Sequence, residues 1–74
     1  MTDKREEYRY LIDEADKEII GWLQYRQSVA RVMKSYKEKN QLPAKDLDRE
    51  EEIINRYEID LGEKGRAIAK VILE

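Results

Sequence analysis

The stretch from Tyr8 to Tyr36 constrains this chain more than any other. In alternating steps of four and three it gives Tyr8, Ile12, Ala15, Ile19, Trp22, Arg26, Val29, Met33 and Tyr36. That spacing marks one face of a helix, sustained for about four heptads. Arg26 is the single charge on it. A neighbouring column runs Arg9, Asp16, Leu23, Ala30 and Lys37. No proline interrupts the stretch, and Gly21 is its one weak helix former of consequence. One helix from about residue 3 to about residue 38 is therefore expected, roughly 50 Å long at the helical rise.

Such a helix is too long for its own chain to cover. A compact globule of 74 residues has a diameter of roughly 29 Å. The residues that follow cannot sheath an apolar stripe about twice that length. A second copy of the chain resolves the mismatch, so the expected architecture is an all-α helical homodimer. A single-copy core of this size would be marginal.

The rest of the chain supplies two shorter helices. Asp3 and Glu6 have capping-box spacing for the first helix. Asn40 suits its C-terminal cap and Pro43 forbids continuation, leaving a loop over about 39–47. Asp48 and Glu51 repeat the capping spacing and start a second helix, about 48–58, with Ile53, Ile54 and Tyr57 as its buried face. Gly62 and Gly65 read as breakers, and Asp60 with Glu63 as a further cap. A third helix over about 62–74 carries Ile68, Val71, Ile72 and Leu73. The whole, 1–74, reads as a single helical domain.

Charge and composition narrow the function. Charged residues make up 43% of the chain and the net charge is −2. No basic run or face stands out, so nucleic acid is not an expected partner. There is no cysteine and no histidine. Disulfides, thiol catalysis, a Ser-His-Asp triad and the common zinc ligands are thereby excluded, and no metal site is expected. No apolar run approaches membrane-spanning length and the first residues do not read as a signal peptide, so a cytoplasmic protein is expected.

Four places hold charges that bear on chemistry. An ionised guanidinium at Arg26 is costly on a core stripe unless it is paired. It requires a glutamate from another helix, an escape to the edge, or an anionic ligand. Lys37 lies three turns on, roughly 16 Å along nearly the same face. Two such cations can bracket a small dianion, although a solvated lysine also favours a helix C-terminus. Arg9 lies roughly 26 Å before Arg26. It reaches that region only from an antiparallel partner helix crossing near residue 20, where Gly21 would permit close approach; otherwise it is an exposed arginine. The segment Asp46-Leu47-Asp48-Arg49-Glu50 either caps a helix, through Asp46 or Asp48, or aims Arg49 and Glu50 at a ligand.

Taken together, Arg9, Asp16, the Arg26 of "LQYRQSVA", the Lys37 of "KSYKEKN" and the "DLDRE" of residues 46–50 resemble the all-α class of chorismate mutases, in its short monofunctional form. The order and spacing agree from Arg9 to Glu50. The resemblance implies an intertwined dimer with two sites, each lined mostly by one chain, with Arg9 donated by the other. It implies the rearrangement of chorismate to prephenate in phenylalanine and tyrosine biosynthesis. That reaction is a unimolecular pericyclic shift, which needs no cofactor and no covalent or acid–base group. By the same resemblance Arg9 and Arg26 bind the substrate carboxylates. Lys37 binds a carboxylate and the ether oxygen, Asp46 and Glu50 take the ring hydroxyl, and Arg49 supports them.

The third helix departs from the family pattern, which has a longer helix with a serine and then a glutamine or glutamate facing the ether oxygen. Here Glu74 is the candidate for that place, with Lys70 a weaker one. Isochorismate-pyruvate lyase shares the scaffold and is the alternative enzyme. A non-catalytic helical dimerisation module is the alternative of a different class.

Overall fold

The computed structural model describes residues 3–74. Among them are three helices and no strand: α1 (Lys4–Lys39), α2 (Leu47–Leu61) and α3 (Glu63–Leu73). The chain forms two compact units, one ending at Leu42 and one beginning at Pro43.

The first unit is α1 and its caps. Asp3 starts it: its carboxylate accepts the Arg5 N–H at 2.9 Å and its side chain also pairs with the Arg5 guanidinium. The guanidinium hydrogen bond first, and the N–H bond after it, lower the Asp3 carboxyl from its ordinary value. At the other end Asn40 is the cap, and its side-chain amide donates to the Tyr36 carbonyl at 2.8 Å. Gln41 then takes φ 55, with its N–H on the Glu38 carbonyl, while the Leu42 N–H reaches back to the Lys37 carbonyl at 2.9 Å. This is the paired closure that satisfies the last orphan carbonyls of a helix, built on a residue that is not glycine. No residue of α1 is buried. The large apolar residues of the stripe are all exposed, from Val29 at 48% to Trp22 at 66%.

The second unit is an antiparallel hairpin of α2 and α3. Asp46 caps α2, accepting the Arg49 N–H at 3.1 Å. Asp48, the expected start, lies inside the first turn instead. The two carboxylates are two residues apart, and the earlier one holds the extended conformation that a cap requires. α2 runs on to Leu61, so Asp60 is a helical residue rather than a cap. Gly62 ends α2 at φ 77, ψ −159, a conformation open essentially to glycine alone.

The core of this unit is Ile53, Ile54 and Ala69, together with Gly65. Gly65 does not break the chain. It sits in α3 where a Cβ would lie 2.1 Å from the Tyr57 carbonyl oxygen. α3 therefore approaches α2 through its small residues, Gly65 and Ala69, one turn apart. Ile68 and Val71 are exposed for the same reason, while Ile72 and Leu73 are half-buried. Arg66 ties the two helices together. Its guanidinium donates to Glu58 at 2.7 Å and to Asn55 at 3.3 Å, and lies 3.8 Å from Glu51.

Candidate active site

The candidate residues fall on both units. α1 carries Arg9, Arg26 and Lys37. Arg9 is exposed, whereas Arg26 and Lys37 are half-buried on a helix whose apolar neighbours are largely open. Among the described residues no carboxylate lies within ion-pair distance of Arg26. The helix rise keeps Arg26 and Lys37 roughly 16 Å apart at their backbones, and puts Arg9 roughly 26 Å before Arg26.

The hairpin brings Asp46, Arg49 and Glu50 together in the first turn of α2. Asp46 spends one carboxylate oxygen on the Arg49 N–H, and its carbonyl accepts the Glu50 N–H at 3.0 Å. The Arg49 side chain pairs with Glu52 at 3.1 Å, across less than one turn, and stays exposed. Glu50 is half-buried. A carboxylate-rich helix start is stabilised by the partial positive charge of the unpaired N–H groups there.

Glu74 closes α3, its N–H donating to the carbonyls of Lys70 and Val71. Gly62 makes the hairpin nearly symmetric about itself. Glu50 lies as many residues before Gly62 as Glu74 lies after it. Both lie towards the open end of the hairpin, away from Gly62. Lys70 is exposed one turn earlier.

Arg66 was not singled out by the sequence. Its hydrogen bond to Glu58, with the charges of Glu58 and Glu51, raises its guanidinium above the ordinary arginine value. The signal was present in the spacing: Arg66 and Glu58 stand four residues either side of Gly62, a register that only a tight hairpin turns into a contact. A shallow hollow on α1 is lined by Lys17, Glu18, Gly21, Trp22 and Tyr25, none of them a candidate site residue. No group of acidic side chains among the described residues is arranged to hold a metal ion. No described helix is long and apolar enough to cross a membrane.

No curated protein and no solved structure matches the chain. A family model does, that of chorismate mutase type II, over residues 8–72. The match spans α1, α2 and nearly all of α3, and takes in every candidate charge from Arg9 to Glu50. The chain belongs to the chorismate mutase type II family, an all-α family of isomerases.

Proposed function

We propose that this chain is a cytoplasmic homodimeric chorismate mutase that rearranges chorismate to prephenate for phenylalanine and tyrosine biosynthesis. The family match over residues 8–72 carries the reading, because it includes every candidate charge from Arg9 to Glu50. In this reading residues 1–74 form one helical domain once two chains have paired.

Chorismate is a dianion that must fold before it reacts. Arg26 and Lys37 would hold its carboxylates from one chain and Arg9 from the other, fixing the reactive conformer and removing its rotational freedom. As the ether bond lengthens, negative charge gathers on its oxygen. The Lys37 ammonium is a preorganised donor for that charge and strengthens as the transition state forms. Asp46 and Glu50 would accept from the ring hydroxyl, with Arg49 supporting them. Nothing in this scheme takes or gives a proton, so a chain without histidine is chemically sufficient. Glu74, at the open end of the hairpin, is the candidate for the ether-facing place.

The test is direct. Purified chain added to chorismate should consume it with one equivalent of prephenate formed. Turnover of isochorismate with release of pyruvate, and none of chorismate, would assign the lyase reaction instead. No turnover of either would leave a helical dimerisation module.

A further inference from the structure

The half of α1 that carries Arg26 and Lys37 is charged against the rest of the chain. From Trp22 to Lys39 there are five bases and a single acid, Glu38, a net +4. The remaining residues hold ten bases and sixteen acids, a net −6. The chain as a whole, at −2, repels a small dianion, whereas this one segment attracts it. Two of its bases have no place in the candidate site: Arg31 and Lys34, both exposed.

Ordinary structural causes do not account for the pair. Among the described residues no carboxylate lies within ion-pair distance of either. Arg31 has no acid three or four residues away, and Lys34 makes no ion pair with Glu38, four residues on. Like charges one turn apart disfavour a helix, yet Arg31, Lys34 and Lys37 follow one another at intervals of three. The helix dipole favours bases in the last turn, where Lys37 and Lys39 stand, but it falls off before Arg31 and Lys34.

Their position relative to the candidate site supplies a reason. Along the axis both stand between Arg26 and Lys37. Arg31 lies roughly 8 Å beyond the first, and Lys34 roughly 5 Å before the second. Around the axis they occupy one flank, Lys34 roughly 60° and Arg31 roughly 120° from Lys37. They therefore flank a ligand held between Arg26 and Lys37 rather than grip it. Both remain within the Debye length of about 10 Å at 0.1 M salt, so their charge is felt there.

We propose that Arg31 and Lys34 are capture residues, whose field gathers the dianionic substrate at the Arg26–Lys37 face without touching its reacting atoms. This rests on the function proposed above and adds residues that serve it. A dianion couples to a potential twice as strongly as a single charge. A potential of one thermal-energy unit per charge already multiplies its local concentration by roughly seven. The gain falls on binding and therefore on KM, while kcat depends on contacts that strengthen in the transition state.

Arg31→Gln/Lys34→Gln removes two positive charges from the flank. Lys64→Glu changes the net charge equally, beside Gly62 and away from the open end of the hairpin. Steady-state kinetics with chorismate, from low to near-molar salt, compare both with the parent. At low salt the double variant should raise KM on the order of five- to tenfold with kcat within about twofold, and it should converge on the parent as salt rises. Lys64→Glu should move neither constant. Arg31→Lys/Lys34→Arg keeps the charges, changes the shapes and should hold the parent KM. Glutamine forms helix about as well as lysine and arginine, so circular dichroism should be unchanged. Each single glutamine variant gives the same readout at half the charge if the double variant unfolds.

A KM unmoved by the glutamine variants overturns the proposal, as does a fall in kcat at constant KM. So does a KM shift that persists at high salt, appears equally in Lys64→Glu, or appears in the charge-preserving variant. A KM that returns to the parent value at higher protein concentration assigns the two residues to chain association and also overturns it. A parent that does not turn over chorismate overturns the function proposed above together with the capture role. In all the other cases the parent is active and the capture role alone falls.

Discussion

Arg26 and Lys37 are half-buried cations among largely exposed neighbours on α1. In the proposed dimer that environment becomes drier, and the Arg26 charge, with no carboxylate within ion-pair distance among the described residues, would be costly there. The substrate dianion supplies a counter-charge for it. Arg26→Ala and Lys37→Ala should therefore each lower kcat/KM while leaving far-ultraviolet circular dichroism unchanged. Removing a charge-assisted contact made in the transition state costs about 3–4 kcal/mol, or roughly a hundred- to a thousandfold. A variant within a few-fold of the parent would give that residue a structural role only. Glu74 obeys a different logic. An ether oxygen only accepts hydrogen bonds, and an ionised carboxylate also only accepts. A glutamate that helps there must carry its proton in the complex, whereas a glutamine donates at every pH. Glu74→Gln should match or exceed the parent near neutrality, and a chain ending at Leu73 should lose activity. Unchanged kcat in that truncated chain would remove Glu74 from the site.

At the scale of the element, the hairpin is set by two glycines with different duties. Gly62 supplies a backbone conformation, and Gly65 supplies room. A glycine inside a helix ordinarily gains about 1 kcal/mol on replacement by alanine. At Gly65 the sign reverses, because the new methyl group meets the backbone of Tyr57 rather than a side chain that can move. Gly65→Ala should destabilise the folded chain by about 1–3 kcal/mol, read as a lowered Tm. A raised Tm would mean that α2 and α3 do not approach as closely as described.

These elements also show what the sequence could and could not say. The ends of α1 were legible because Asp3, Asn40 and Pro43 act through their immediate neighbours. The start of α2 was ambiguous because Asp46 and Asp48 offer the same carboxylate two residues apart. Gly65 was misjudged as a breaker because its role depends on Tyr57, eight residues away and across a turn. Arg66 escaped notice for the same reason. The charges from Arg9 to Glu50 were legible as a set because their spacing is fixed by one uninterrupted helix and one short loop.

At the scale of the molecule, α1 presents an exposed apolar stripe that a second chain is proposed to cover. Gly21 separates that proposal from the single chain. Nothing lies within 4 Å of where its Cβ would be, so Gly21→Ala should raise the helicity of the isolated chain by the ordinary gain of about 1 kcal/mol. If partner helices cross closely there, the same substitution weakens the dimer. Sedimentation should show a raised dissociation constant beside a more helical chain. A dimer unchanged by Gly21→Ala would move the crossing elsewhere.

The central claim is an active site assembled from two chains. The helix rise keeps Arg9 roughly 34 Å from the midpoint of its own Arg26 and Lys37, so within one chain it cannot share their substrate. The most direct measurement mixes two inactive variants, Arg9→Ala and Lys37→Ala, and follows chorismate consumption after subunits exchange. Each mixed dimer then holds one site with both defects and one with neither. Random exchange makes half the dimers mixed, so activity should return to about a quarter of wild type. Activity that stays at the level of the separate variants, with exchange confirmed by a label on one of them, would contradict a site shared between chains.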